Sequence, residues 1–325
     1  MRNFSMQTQK LIKQAKYRLM YWGRYKSRKL MLDHEQINQL NHLKQFGYVM
    51  LPHVLTEDEF AQMKFSYQLE LEEKLNFETP CLAQNKIDSV KHKILLDNYL
   101  CYTPQQYLER GIAFTKSEVS SYQQVLDEFR PSTLKTYIPQ SHLFFNVWLH
   151  PTLLTMVEAY MGLRPYLVEA YLRRNFPSEH KVMNHFWHRD SNHPDYLLKA
   201  FIFLSDCEVH HGPHQYIAGS IQDQRLSGKP YYSDEEVDNF YPQGHDSRIT
   251  SIVKAGTIIL EDTRGLHRAV VPERGFRDLG YAIFMPRNTF YRRGEPYFTV
   301  DQNTYHQLNS RQQSYMMPEY IFKGD

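Results

Sequence analysis

The feature that most constrains this fold is a series of short β-type segments, each closed by a turn signal, from about residue 165 onward. YLVEAYLRRNF alternates, KAFIFLSD has the pattern of a mostly buried strand, TSIVKAGTIILED splits into two β runs at Ala255-Gly256, and LGYAIFMP closes the series. Turn signals such as His211-Gly212-Pro213 separate these runs. Many short strands without a helical pattern between them predict a β-sandwich or jelly roll.

Helical patterns come before the strands. In the segment LNHLKQFGYVMLPHVLTEDEF, helical spacing ends at Gly47 and a short β run covers Tyr48 to Leu51. Thr56 fits a helix N-cap, with Glu59 three residues later as its capping-box partner. We therefore expect a mainly β protein with front helices that pack on one of its sheets.

Charge and cysteine content exclude several classes of function. The 38 basic and 36 acidic residues give a formal charge of only +2, so nothing in the overall charge favours nucleic acid as a partner. The cysteines Cys81, Cys101 and Cys207 are scattered and have no zinc-ligand spacing, which is typical of a reduced cytoplasmic setting. No apolar run approaches the roughly 20 residues needed to cross a bilayer.

Residues 1–32 differ in charge from the rest of the chain. They carry nine basic residues and no acidic one, with Leu11, Leu19 and Trp22 among them. A basic helix of this kind can bind an anionic membrane surface peripherally, or can be a solvated helix that packs one stripe on the body. Both interpretations remain open. The predicted organisation is a basic helical segment over 1–35, a main domain over 36–290 and a C-terminal tail over 291–325.

The run FWHRDSN carries the first chemical signal. Residues two apart in a strand point to the same face, so His188 and Asp190 would face one space while Arg189 points away. Trp187 would then pack in the core. Two histidines and one carboxylate on a single face form the metal site of non-haem Fe(II) oxygenases. An H-x-D pair alone is more often a surface pair, so a third ligand is required.

The best third ligand is His267, in AGTIILEDTRGLHRAVVPERGFRDLGYAIFMP. It follows a buried-looking strand and a turn, and Arg277 begins the next β run. A guanidinium binds a carboxylate through two parallel hydrogen bonds, which a lysine cannot match. A dicarboxylate co-substrate that chelates a metal through one end needs such an anchor at the other end.

Several ordered motifs together resemble the phytanoyl-CoA dioxygenase family. They are FWHRD, the turn HGPHQYIAGS, the segment EDTRGLHRAVVP and the GFR that contains Arg277, with HLKQFGYVMLPHVLTEDEF similar to the family's usual opening. The resemblance covers roughly residues 36–290. It implies Fe(II)- and 2-oxoglutarate-dependent oxygenase activity on a double-stranded β-helix, which is a cupin-like jelly-roll core. The implied cofactors are Fe(II), 2-oxoglutarate as co-substrate and O₂.

By this resemblance His188, Asp190 and His267 match the iron ligands, and Arg277 matches the arginine that binds the distal carboxylate of 2-oxoglutarate. Asn175 matches an asparagine that contacts the co-substrate in enzymes similar to the ectoine hydroxylases. A serine often found two positions after the distal histidine is Ala269 here. The arginine's helper must therefore come from elsewhere.

Two residues on neighbouring strands, Thr257 and Tyr281, are candidates for that helper. The family's usual Gly-Ser-His after the turn is Gly219-Ser220-Ile221 in this chain. Related halogenases replace the carboxylate ligand by a small residue. Because Asp190 is present, hydroxylation or another oxidation is favoured over halogenation.

Other residues have plainer interpretations. His210, His211 and His214 surround a Gly-Pro turn, but we expect no carboxylate or cysteine to complete a second metal site there. Arg173 would share a face with Asn175, where it could meet an anionic substrate or form a surface salt bridge. Cys207 has no base beside it.

Three functional alternatives follow from these observations. The first is an oxygenase that hydroxylates a small-molecule or lipid-like substrate. The second is a cupin-like metal-dependent isomerase or hydrolase, which would not need Arg277. The third is a non-catalytic binding protein on the same barrel. The sequence indicates neither the substrate nor the oligomeric state.

Overall fold

The structure is a computed structural model. It describes residues 30–82, 112–116, 120–129, 131–178, 183–190, 197–223, 225–286 and 298–322, with the backbone alone at residues 78–82, 112–116, 128–129, 183 and 322.

Helices dominate the front of the chain and strands dominate its second half. The helices are α1 His34–Phe46, α2 Glu57–Gln68, α3 Tyr122–Phe129, α4 His142–Trp148, α5 Pro151–Met161, α6 Asp234–Asp238, α7 Gln302–Gln307 and α8 Ser310–Gln313. The front strands are β1 Tyr48–Leu51, β2 Phe77–Leu82, β3 Ile112–Lys116 and β4 Thr133–Thr136. Later strands are β5 Tyr166–Asn175, β6 Trp187–His188, β7 Leu198–Phe203, β8 His214–Ile217, β9 Tyr231–Tyr232, β10 Arg248–Thr250, β11 Ile258–Glu261, β12 His267–Ala269, β13 Arg277–Met285, β14 Val300–Asp301 and β15 Ile321–Phe322.

Two antiparallel sheets form the centre of the described part of the protein. The major sheet has eight strands in the order β1-β11-β7-β13-β5-β4-β2-β3, and the minor sheet has five in the order β10-β8-β12-β6-β9. Strands β14 and β15 form a separate parallel pair. The mainly β architecture with flanking helices that the sequence predicted is confirmed.

The two faces of the major sheet have different roles. One face is covered by the helices, in a core that contains Leu43, Leu154, Leu172, Ile202 and Phe284. The other face turns toward the minor sheet and carries a second apolar cluster. Because strand side chains alternate, each central strand contributes to both layers. This explains why KAFIFLSD reads as buried throughout: every residue of β7 is buried.

The front segment matches its prediction closely. Helix α1 is capped at its C-terminus by Gly47, which has a left-handed φ of 85°. This conformation favours glycine because glycine has no Cβ. Thr56 caps α2 through a capping box with Glu59. Strand β1 then pairs antiparallel with β11, so the front of the chain extends the sheet that bounds the site.

Two features depart from the sequence interpretation. A short helix, α6, lies between strands where no helical pattern was recognised, because five residues after a Ser233 cap give too little periodicity to read. Residues 298–322, the described part of the predicted 291–325 tail, place Phe298, Tyr315 and Tyr320 in the main core. The basic segment 1–32 lies almost entirely outside the described residues. Among the described helices none is long and apolar enough to span a membrane.

Candidate active site

The predicted metal ligands come together at the centre of the minor sheet. His188 in β6 and His267 in β12 are directly paired across the two strands. Asp190 lies two residues beyond the end of β6, where its N–H donates to the carbonyl of Thr263. The expectation that His188 and Asp190 share one regular strand is therefore wrong. Both side chains nevertheless face the same cavity.

The three ligand atoms are close enough to share one ion. One donor atom from each of His188, Asp190 and His267 lies within 4.8 Å of the other two. The imidazole rings have centroids 4.2 Å apart, and Nε2 of His267 is 3.9 Å from Oδ2 of Asp190. Two imidazoles and a carboxylate on one side of a point leave its other side open, as Fe(II) oxygenases require.

Backbone carbonyls fix the tautomer of both histidines. Nδ1 of His188 is 2.8 Å from the carbonyl of Phe186, and Nδ1 of His267 is 3.0 Å from the carbonyl of Gly265. A carbonyl only accepts, so each Nδ1 carries the hydrogen and each Nε2 keeps a lone pair. Both rings are thus prepared to bind a metal through Nε2.

Electrostatics keep the ligand set in the protonation states that a metal needs. Burial lowers the pKa of His188 and, more strongly, the pKa of His267, so both rings are neutral near pH 7. Burial alone would raise the pKa of Asp190. The charge of Lys199 outweighs that effect, with smaller contributions from His267 and His188, and holds the pKa of this carboxyl well below its usual range. Two neutral imidazoles and an ionised carboxylate fit a divalent cation.

The two residues that flank His188 point away from the cavity, as predicted. Arg189 donates to four backbone carbonyls on the far side of the strand: those of Leu226, Ser220, Asp223 and Arg264. Trp187 is fully buried in a third apolar cluster with Ile217 and Leu266. These contacts hold the strand that presents His188.

The turn before His267 depends on a tight contact with Tyr216. The hydroxyl of Tyr216 donates to the carbonyl of Asp262. A Cβ added at Gly265 would lie 2.0 Å from that hydroxyl, and one added at Gly47 would lie 2.1 Å from it. Glycine is therefore required on both sides of the Tyr216 hydroxyl, which links the end of α1 to the metal-ligand turn.

The ligands open into a cavity of about 210 Å³ between the two sheets. Its lining comes from both sheets: Tyr171, Arg173, Asn184, His188, Asp190, Lys199, Phe201, His214, His267, Ala269 and Tyr281. The cavity combines aromatic walls with several charged groups. This composition suits a small organic molecule with polar substituents.

Arg277 lies on the same face of the major sheet as Tyr281 but deeper, and it does not line this cavity. Its side chain is almost fully buried, and its Nε and Nη1 atoms have no hydrogen-bond partner among the described residues. Among the described residues it donates a single hydrogen bond, from Nη2 to Oδ1 of Asn175, which is long at 3.5 Å. Burial, and then the charge of Arg173, lowers the pKa of Arg277 to about 10. The guanidinium is still charged at pH 7, and an incoming anion would satisfy it.

The structure joins Asn175 to Arg277 but joins neither helper candidate to it. Tyr281 lines the cavity and stacks on Tyr171, with ring centroids 4.6 Å apart. No hydrogen bond in the described part of the chain links Arg277 to the side chain of Thr257 or of Tyr281. The roles of Thr257, Tyr281 and Asn175 toward a co-substrate remain predictions.

Sequence reasoning missed Lys199. Its Nζ lies 2.5 Å from Oδ2 of Asp190 and 5.3 Å from the centroid of the Tyr281 ring. A lysine inside the otherwise apolar strand KAFIFLSD was the available signal, because a buried charge requires a partner. His214 is also in the lining, where its Nε2 contacts both carboxylate oxygens of Glu261 at 2.9 and 3.0 Å.

The expected absence of a carboxylate near the histidine-rich turn is wrong. Glu208 joins His210 and His211 in a second group whose ligand atoms lie within 4.8 Å of one another. This group is at the surface, and His214 is not part of it. The Nδ1 of His211 accepts a hydrogen bond from the backbone of Glu208, and Oε2 of Glu208 is 3.6 Å from Nδ1 of His210. These contacts belong to the cap of a short helical turn, which explains why the three side chains lie close together.

Comparisons with known proteins give matches only at the level of solved structures. No protein-family model and no curated protein matches the chain. The epimerase SnoN, solved with Fe³⁺, α-ketoglutarate and nogalamycin RO, is 16% identical with a TM-score of 0.47, over 77% of this chain and 83% of SnoN. HygX from Streptomyces hygroscopicus, solved with nickel, 2-oxoglutarate and hygromycin B, is 17% identical with a TM-score of 0.46, over 84% of this chain and 92% of HygX.

A third match is EctD from S. alaskensis, solved with 2-oxoglutarate and 5-hydroxyectoine. It is 15% identical with a TM-score of 0.47, over 80% of this chain and 78% of EctD. At these identities and scores, the function of this chain has to be argued from its own site.

Proposed function

We propose that this protein is an Fe(II)- and 2-oxoglutarate-dependent oxygenase of the phytanoyl-CoA dioxygenase type, on a double-stranded β-helix core. The observation that carries the proposal is the convergence of His188, Asp190 and His267, whose donor atoms lie within 4.8 Å of one another in a cavity. In this proposal these three residues hold Fe(II). The localisation is proposed to be cytoplasmic.

The chain's own residues would prepare the metal and the co-substrate. The carbonyls of Phe186 and Gly265 orient the two imidazoles, so little rearrangement is needed when the metal arrives. Arg277 would take the distal carboxylate of 2-oxoglutarate on its two unpaired nitrogens, with Asn175 beside it. A buried guanidinium without an acidic partner supports an anionic co-substrate, which the isomerase, hydrolase and binding-protein alternatives do not need.

The proposed reaction is hydroxylation of an unactivated C–H bond. When bound, Fe(II) with 2-oxoglutarate supplies the activation of O₂ that no amino-acid side chain can provide. The overall balance is substrate C–H plus 2-oxoglutarate plus O₂, giving substrate C–OH plus succinate plus CO₂. The aromatic walls formed by Tyr171, Phe201 and Tyr281 would exclude water and hold the substrate against the ligand set.

The direct test is formation of succinate from 2-oxoglutarate by the purified protein. We expect release that requires both Fe(II) and O₂ and that rises when a mixture of small metabolites contains the substrate. Omitting iron, or replacing it with Zn²⁺, should abolish the release. If 2-oxoglutarate neither binds the Fe(II)-loaded protein nor is consumed, the oxygenase proposal is wrong and a metal-dependent isomerase or hydrolase becomes the better hypothesis.

A further inference from the structure

Arg173 is a charged residue of the cavity that the proposed reaction does not use. It lines the cavity from β5, and its Nε is buried without a hydrogen-bond partner in the described part of the chain. Among the residues that the structure describes, it forms no ion pair, and its guanidinium carbon lies 5.8 Å from the centroid of the Tyr171 ring. An arginine that is partly buried and unpaired at a ligand cavity is a candidate for anion recognition.

The other charged residues that line the cavity already have partners or assigned roles. Lys199 is paired with Asp190, and His214 is paired with Glu261. In the proposed function Arg277 takes the co-substrate. The charges of a divalent metal and a dianionic co-substrate cancel each other. Binding of both therefore adds no net negative charge that could neutralise Arg173.

Lys135 adds a second cation at the same place. It is directly opposite Arg173 on the neighbouring strand, and its Nζ lies 4.7 Å from the centroid of the same Tyr171 ring. Two cations therefore lie near the same tyrosine ring of the cavity lining. The charge of Arg173 also contributes to the lowered pKa of Arg277, so the two guanidinium groups lie close enough to repel each other.

The cavity has a further polar atom for a substrate. Oδ1 of Asn184 is buried there without a hydrogen-bond partner in the described part of the chain. An amide oxygen accepts hydrogen bonds, so it suits a hydroxyl or amine donor on the ligand. An unpaired guanidinium and an unpaired amide oxygen favour a polar ligand over an unfunctionalised hydrocarbon chain.

We propose that Arg173 binds an anionic group, a carboxylate or a phosphate, of the substrate that is oxidised. The inference rests on the proposed function and assigns its substrate class: a small polar molecule that carries a negative charge. An anionic group at Arg173 has a second possible source, which is the carboxylate next to the keto group of 2-oxoglutarate. The experiment therefore measures the two ligands separately.

The test is a two-stage titration by calorimetry with O₂ excluded. Fe(II)-loaded protein is first saturated with 2-oxoglutarate, and the complex is then titrated with acetate or with methylphosphonate as simple anion probes. We expect both probes to bind the wild type and to bind Arg173→Gln roughly tenfold or more weakly, because a charge-assisted hydrogen bond is lost. The affinity for 2-oxoglutarate should stay within about twofold of wild type.

Two variants serve as controls. Arg274→Gln removes an exposed arginine outside the cavity lining and should bind both probes as the wild type does. Arg173→Lys keeps the charge and should recover part of the probe affinity, which also covers a failure of Arg173→Gln to fold.

Each remaining outcome contradicts the inference at an identifiable step. If the probes bind Arg173→Gln as they bind wild type, or do not bind wild type, Arg173 is not the anion site. If Arg173→Gln loses affinity for 2-oxoglutarate instead, Arg173 belongs to the co-substrate. If 2-oxoglutarate does not bind wild type in the first stage, the proposed function fails and the inference fails with it.

Discussion

The two walls of the cavity are prepared for ligands in opposite ways. On the minor sheet, His188 and His267 already donate their Nδ1 hydrogens to carbonyls, and only their Nε2 lone pairs are left. On the major sheet, Arg173 and Arg277 keep buried guanidinium nitrogens that have no hydrogen-bond partner among the described residues. One wall is therefore arranged before a ligand binds, whereas in the proposed function the other would be completed by the ligand. Directional metal bonds need fixed donors, while a charge needs only a counter-charge within reach.

The largest expected effect comes from removing a ligand of the arranged wall. Asp190→Ala should reduce Fe(II)-dependent succinate formation roughly a thousandfold or more, because the metal loses its only anionic protein ligand. The measurement is succinate release at saturating Fe(II) and 2-oxoglutarate. Asp206→Ala, at an exposed carboxylate paired with Lys254, is the matched control and should keep wild-type activity. Unchanged turnover in Asp190→Ala would remove this residue from the reaction.

The next effect comes from the wall that the ligand completes. Arg277→Met should weaken 2-oxoglutarate binding roughly a hundredfold, since a buried charged contact is lost. Burial lowers the pKa of Arg277 to about 10, so at pH 7 its charge costs the folded state stability. Without ligand, Arg277→Met should therefore melt a few degrees higher than wild type, by roughly 5 °C. A lower melting temperature together with unchanged 2-oxoglutarate affinity would mean that Arg277 is structural.

A backbone change tests how far the metal wall depends on its turn. Gly265→Ala would place a Cβ 2.0 Å from the Tyr216 hydroxyl and displace the carbonyl that orients His267. We expect a loss of about 1–3 kcal/mol in the free energy of unfolding, together with weaker metal binding. Urea unfolding and Fe(II) titration measure the two effects. Gly228→Ala, where an added Cβ meets nothing within 4 Å, is the control and should change neither.

The smallest effect concerns the contact between the walls. Lys199→Met removes an ammonium whose Nζ lies 2.5 Å from Oδ2 of Asp190. That ammonium occupies a carboxylate oxygen that a metal would otherwise bind. At pH 7.5 we expect metal affinity to rise by about threefold to tenfold, because a cation no longer competes for the carboxylate. Lys254→Met, at an exposed ion pair, should leave the affinity unchanged. Weaker binding by Lys199→Met would instead show that Lys199 orients the carboxylate for the metal.

The sequence predicted the parts of the site that depend on local pattern. Alternation located β5, β7 and β13, and capping residues located α1 and α2, because these signals act over a few neighbouring residues. The resemblance to a family predicted roles for His188, Asp190, His267 and Arg277, and the structure brings the first three together. It did not identify Lys199 or the pairing of His214 with Glu261, since these contacts depend on how distant strands align.

The errors have a similar cause. Strand β6 has only two residues, because Asp190 bonds to Thr263 rather than continuing the ladder of β6 with a neighbouring strand. Residues 298–322 belong to the predicted C-terminal tail, 291–325, yet Tyr315 and Tyr320 within them are fully buried. A tyrosine can lie in a core when its hydroxyl finds an acceptor, here Glu158 and the carbonyl of Val168. Such acceptors cannot be recognised before the fold is known.

The contact of the Tyr216 side chain with two glycines limits which segments of this protein can be exchanged to make chimeras. Tyr216 meets Gly47 at the end of the first described helix and Gly265 in the turn before His267. An exchange of residues 34–51 for another front segment would thus change the position of the proposed metal ligand His267, which lies more than two hundred positions away in the chain. Chimeras that keep both glycines with Tyr216 should retain metal affinity, whereas chimeras that separate them should lose it.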